Sequence, residues 1–154
     1  MEEYLFQNGR KCPQLKGHIF LVDDDEDDQL IFLTVVEKLC PELRCTTAWN
    51  GIDAINRLSQ IDPLPEIIFL DLNMPLMNGH QFLTEIRKNE KFGNVPIVVL
   101  STSSHLPSQD KALQLGAWHF LTKPSSLSEW EQQLMPILTA KPGIVSPVNA
   151  SHNG

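Results

Sequence analysis

Three runs of four consecutive apolar residues, Ile19-Phe20-Leu21-Val22, Ile67-Ile68-Phe69-Leu70 and Ile97-Val98-Val99-Leu100, constrain the fold of this chain more than any other feature. None alternates with polar residues, so each makes a strand only if both of its faces are buried. Between them, apolar side chains recur at helical spacing. Ile31, Val35 and Leu39 predict a helix over 27–40 that Pro41 stops. Ile52, Ile55 and Leu58 predict the apolar side of a second helix, and Phe82, Leu83 and Ile86 that of a third over 79–89. A fourth is predicted from Pro107 to Leu115. The fifth opens on the capping-box pattern Ser126-Leu127-Ser128-Glu129 and continues through Trp130, Leu134 and Ile137, with Pro136 expected to kink or end it. Cys45–Trp49 and Trp118–Leu121 supply the remaining strands. Five strands alternating with five helices predict an α/β fold, a five-stranded parallel sheet doubly wound with helices on both faces.

In such a sheet, ligands bind at the carboxyl ends of the strands, near the point where strand order reverses. Here the first strand ends in Asp23-Asp24, the third in Asp71, the fourth in Ser101 and the fifth in Thr122-Lys123. Segments far apart in the chain thus bring carboxylates, a hydroxyl and an ammonium to one edge. Singly, each has an ordinary explanation. Ser101 is a small strand-end residue, Lys123 a surface lysine, Phe120 a core aromatic, and Asp25 to Asp28 a solvated run favoured by the helix dipole. Their joint placement is what points to a site.

The formal charge of -7 is concentrated in one place, because Asp23, Asp24, Asp25, Glu26, Asp27 and Asp28 hold six of the 19 acids. Without a basic patch, nucleic acid and anionic membrane are disfavoured as partners. Clustered carboxylates suit a hard cation such as Mg²⁺. The start Met1-Glu2-Glu3 lacks the basic and apolar regions of a signal peptide, and no apolar run is long enough for a bilayer, which predicts a cytosolic protein. Cys12, Cys40 and Cys45 form no CxxC pair and are expected to be reduced thiols. Residues 1–17 show no period and are expected to form an arm. Residues 139–154, rich in Pro, Gly, Ser and Asn, are expected to form a flexible tail around a domain at 18–138.

Carboxylates from two strand ends that share a divalent cation leave Asp71 able to act as a nucleophile toward phosphorus. Lys123 and Ser101 would then contact phosphoryl oxygens, because such transfer depends on positioning and charge neutralisation.

These motifs resemble the receiver domains of two-component response regulators. The resemblance rests on Phe20-Leu21-Val22-Asp23-Asp24, Leu70-Asp71-Leu72-Asn73-Met74-Pro75-Leu76-Met77-Asn78-Gly79, Val99-Leu100-Ser101 and Phe120-Leu121-Thr122-Lys123-Pro124. Their separations are those usual in the family. The resemblance implies a CheY-like, flavodoxin-like sheet with strand order 2-1-3-4-5. It implies Asp71 as phosphoacceptor, with Asp24, Asp23, Asp71 and the Asn73 backbone carbonyl holding Mg²⁺, for which Mn²⁺ can substitute. It further implies Ser101 and Lys123 as phosphoryl-binding residues, Phe120 as an aromatic switch, and a cis peptide before Pro124. The implied partners are a histidine kinase or His-containing phosphotransfer protein and a downstream protein target. Asn78 stands where Asp is more frequent, with no expected effect on chemistry.

Rival readings fit less well. A degenerate receiver would not keep Asp24, Asp71, Ser101 and Lys123. A haloacid-dehalogenase-like phosphatase needs an Asp two residues after its nucleophile, and position 73 is Asn. An EF-hand loop begun at Asp23 needs Gly and Glu where Asp28 and Thr34 stand. Too little chain follows the last helix for a DNA-binding output domain, so a stand-alone receiver is expected.

Overall fold

The computed structural model describes residues 17–74, 76–102 and 105–139. The expected arm and tail fall almost wholly outside these residues. In chain order the elements are β1 (His18–Val22), α1 (Glu26–Leu39), β2 (Arg44–Ala48), α2 (Gly51–Leu58), β3 (Ile67–Asp71), α3 (Gly79–Arg87), a 3₁₀ turn (Glu90–Phe92), β4 (Ile97–Ser101), α4 (Leu106–Gln114), β5 (His119–Thr122) and α5 (Leu127–Thr139). The strands form one five-stranded sheet in the order β2-β1-β3-β4-β5, and every pairing is parallel. Strand order reverses beside β1 and β3, so the carboxyl ends of those two strands open the crevice in which such folds bind ligands.

Side-chain alternation divides the core into two layers. Ile19, Leu21, Ile67, Phe69, Val98 and Leu100 pack toward α1 and α5, with Phe32, Val36, Trp130 and Leu134 above them. Phe20, Val22, Ile68, Leu70, Ile97 and Val99 pack toward α2, α3 and α4, against Leu58, Phe82, Leu83 and Ala112. The three inner strands are buried at every residue, as unbroken apolar runs require.

Helix faces departed from expectation where small residues decide the contact. In α2 the buried residues are Gly51, Ala54 and Leu58, while Ile52 is 46% exposed. A Cβ on Gly51 would lie 2.7 Å from Met77 side-chain atoms, so the helix start sits close against the chain after β3 and Ile52 rotates outward. Pro136 does not end α5, which continues to Thr139. The capping pattern before α5 is half formed. Glu129 N–H donates to Ser126 Oγ, but the Glu129 carboxylate accepts from Ser125 instead of Ser126. Cys45 is a free thiol as expected, whereas Cys40 is disulfide-bonded. Of the chain's three cysteines, Cys12 lies outside the described residues. Sequence spacing carries no information on such a pairing, which depends on how segments remote in the chain meet.

Leu76, in the loop between β3 and α3, has φ of 70° and is 77% exposed. A Cβ-bearing residue in the left-handed region costs about 1–2 kcal/mol, and Asn tolerates that region better than Leu. With no buried area to lose, Leu76→Asn is expected to stabilise the chain by about 1 kcal/mol, raising Tm by roughly 2–4 °C. A thermal melt showing a lower Tm would mean that the leucine side chain makes a stabilising contact.

Candidate functional site

Asp23 directly follows β1 and Asp71 ends β3. Because these strands are neighbours, the two carboxylates meet at the edge of the sheet. Both are buried, at 1% and 4% exposure, while Asp24 is exposed. One carboxylate oxygen from each of the three residues lies within 4.8 Å of the others. Local backbone bonds orient them. The Asp25 amide donates to Asp23 Oδ1 at 2.9 Å, and the Asn73 amide to Asp71 Oδ1 at 3.2 Å.

Lys123 follows β5 and reaches back across the sheet edge. Its Nζ donates to Asp23 Oδ2 at 2.9 Å and to Asp28 Oδ2 at 2.7 Å, and lies 3.7 Å from Asp71 Oδ1. Its side chain is only 7% exposed. These ion pairs set the direction of the lysine. The cis peptide expected before Pro124 is not present; the cis bond among the described residues is Asp62–Pro63. An ammonium held by three carboxylates does not need a cis bond to aim it.

Burial pushes the Asp71 carboxyl up to about 7, and the charges of Asp23 and Asp24 add to the rise, against the opposing pull of Lys123 and the Asn73 amide. Burial also raises Asp23, partly offset by Lys123. For Lys123 burial acts downward, but Asp28, Asp23 and Asp71 together outweigh it and hold the ammonium charged. The cluster is therefore short of positive charge. Among the described residues a single ammonium faces Asp23, Asp28 and Asp71, with Asp24 beside them, which leaves room for a hard divalent cation, and the donor set is all oxygen. The residues fit such an ion.

Ser101, at the end of β4, is buried, but it belongs to the opposite side-chain parity from Leu100, on the side of α3 and α4. It lines a cavity with Asn73 and His80. Phe120 is 5% exposed within that same core layer, paired in register with Val99. Two further residues shape the site. Asp28, expected from the sequence to be one of several solvated helix-start acids, makes the shortest contact to Lys123. Gln29, buried, donates from Nε2 to the carbonyls of Asp23 at 2.7 Å and Ala48 at 3.4 Å, tying the turn after β1 to the end of β2. Nothing in the acidic run distinguishes position 28 from 27 until the helix phase is known.

Comparison with known proteins agrees with this architecture. The chain matches the response regulator receiver domain over residues 19–135. Protein PilG of Pseudomonas aeruginosa is 31% identical over 126 residues, covering 80% of this chain and 89% of PilG. The sensor histidine kinase CheAY of Helicobacter pylori is 28% identical over 108 residues, covering 70% of this chain, which spans only 13% of that kinase. Among solved structures, the Mn²⁺-bound form of response regulator Rcp1 superposes with a TM-score of 0.71 at 27% identity, covering 83% of this chain and 96% of that one. With its parallel sheet in the order 2-1-3-4-5 and its acidic cluster at the strand ends, the chain belongs to the response regulator receiver domain family.

Proposed function

We propose that Asp71 accepts a phosphoryl group from a histidine kinase or His-containing phosphotransfer protein, and that the modified domain signals by contact with another protein. The observation that carries this reading is the set of three carboxylates within 4.8 Å of one another beside a buried lysine. An Asp71 oxygen attacks phosphorus, a new O–P bond forms, and the bond to the donor breaks with its electron pair leaving on the donor. Asp23, Asp24, Asp71 and the Asn73 carbonyl would hold Mg²⁺, or Mn²⁺ in its place, and that ion when bound neutralises charge on the phosphoryl oxygens. That the similar response regulator Rcp1 has a Mn²⁺-bound form supports divalent-ion binding. Lys123, already 3.7 Å from Asp71, supplies a further positive charge, and Ser101 a hydroxyl. The domain thereby catalyses its own phosphorylation and slow dephosphorylation.

A protein donor is supported by the surface. Among the described residues the exposed large apolar side chains are Leu30, Trp49, Ile52, Leu76, Leu106 and Leu127. Each lies in a loop after a strand or within the first turns of a helix, at the edge that carries the site. Such an apolar rim around an acidic centre suits docking of a protein. Phe120, beside Val99 on β5, is the side chain whose rearrangement would carry the change toward α4 and α5. No described helix is long and apolar enough to cross a membrane. A cytoplasmic setting belongs to the same proposal.

The test is intact-mass spectrometry after incubation with acetyl phosphate. A single phosphoryl adduct is expected with Mg²⁺ and none in chelator. An adduct that forms equally well without divalent ions would overturn the assignment.

A further inference from the structure

The Lys123 ammonium has three N–H donors to direct. Two meet acceptors at hydrogen-bond distance, Asp23 Oδ2 at 2.9 Å and Asp28 Oδ2 at 2.7 Å. Asp71 Oδ1 stands at 3.7 Å, beyond hydrogen-bond reach. We propose that Asp28 is a positioning residue that holds the Lys123 ammonium in the unmodified chain and competes for it with a phosphoryl group on Asp71. The inference rests on Asp71 being the phosphoacceptor.

Asp28 is placed to compete where Asp23 is not. The carboxylate oxygens that lie within 4.8 Å of one another come from Asp23, Asp24 and Asp71, and Asp28 stands outside that group. A divalent ion bound there neutralises Asp23 and weakens its hold on the lysine. Asp28 keeps its full charge, so its attraction for the ammonium outlasts metal binding. The pair is also sheltered. The Lys123 side chain is 7% exposed and that of Asp28 30%, so water screens it less than a surface ion pair. The backbone fixes where Asp28 stands: it lies in the first turn of α1, and its amide donates to Oδ1 of the Asp25 cap at 3.0 Å. Lys123 lies 95 residues further along, just after β5. A phosphoryl group adds negative charge on the Asp71 side alone, drawing Nζ across a gap that Asp28 opposes. No covalent step changes in this role, because Asp28 acts only on where the lysine directs its charge.

Opposite shifts in two binding constants separate this role from a structural one. Isothermal titration calorimetry measures Mg²⁺ binding, and then binding of beryllofluoride, a phosphoryl mimic, at saturating Mg²⁺. In Asp28→Asn the freed ammonium turns to Asp71 and Asp23, so Mg²⁺ affinity is expected to fall about threefold. Once Mg²⁺ is bound, the same ammonium is available to the mimic, whose affinity should rise about fivefold. Asp28→Ala should move both constants in the same directions by at least as much, whereas a loosened structure would weaken both. Asp27→Asn removes the same formal charge from an exposed neighbour and should leave both constants within about twofold. A beryllofluoride affinity that falls or stays level in both Asp28 variants would overturn the inference, as would an equal rise in Asp27→Asn. If the parent chain bound no beryllofluoride and took no phosphoryl group from acetyl phosphate, the phosphoacceptor reading would fail first, and the competition with it.

Discussion

Asp71→Asn is expected to take no phosphoryl group from any donor, and yet to melt at a higher temperature than the parent chain in chelator. Loss of the adduct follows from chemistry, because a carboxamide oxygen is a poor nucleophile and its product would not be a stable acyl phosphate. The gain in stability follows from the environment of the side chain. Burial, then the charges of Asp23 and Asp24, raise the Asp71 carboxyl to about 7. A carboxyl whose pKa is higher folded than unfolded is protonated in both states below the unfolded value and costs nothing there. Between that value and about 7 the unfolded chain gives up the proton that the native site retains, so stability falls as pH rises through this window and levels off above it. Asn removes that cost. Lys123 loses a partner at 3.7 Å but keeps Asp23 and Asp28 at 2.9 and 2.7 Å. After allowance for screening, the gain at pH 8 should be on the order of 2 kcal/mol, or roughly 5 °C in Tm, and less than half of that at pH 5. Equal melting curves at both pH values would show that the carboxylates are not in conflict. An adduct on the variant would place the phosphoryl group elsewhere.

Gly79→Ala is expected to be among the most damaging single-methyl changes available to this chain. Gly79 begins α3, and a Cβ there would stand 2.6 Å from Leu72 Cδ2, 2.7 Å from Leu72 Cα and 2.9 Å from the Asp71 carbonyl oxygen. Two of those atoms are backbone and cannot swing aside. The Gly79 amide also donates to the Leu72 carbonyl at 2.9 Å, so the loop leaving the nucleophile is clamped directly on the helix start. A methyl group must push that clamp open and carry Asp71 with it. The expected cost is about 3 kcal/mol, a Tm lower by roughly 6–12 °C, with loss of most of the phosphorylation rate. Gly93→Ala is the control. Its Cβ would meet only the Glu90 carbonyl at 3.4 Å, and it sits at an ordinary helical φ of -60°, so the change should stay within about 0.5 kcal/mol of neutral. Similar melting curves for the two variants would show that the β3–α3 loop yields more readily than its contacts indicate.

Much of this site is legible in the chain because a buried strand must be apolar throughout. The first polar residue after Val22 or Leu70, or after Leu100 and Leu121, therefore marks the sheet edge, and Asp23, Asp71, Ser101 and Lys123 stand at or just beyond those points. Parallel connectivity then puts all of these ends on one side, whatever the details of packing. The chain alone is silent wherever the outcome depends on how one element turns against another. Helix phase made Asp28 the partner of Lys123 and left Ile52 outside while Ala54 went in. Only the meeting of α3 and α4 could reveal that His80 and His105 converge on Ser108, since the intervening strand hides any spacing rule. The positive φ of Leu76 is invisible for the same kind of reason: leucine carries no turn signal, and the clamp of Gly79 on Leu72 dictates the path between them. Local chemistry determined where each strand stops, and packing between distant segments decided what each side chain faces there.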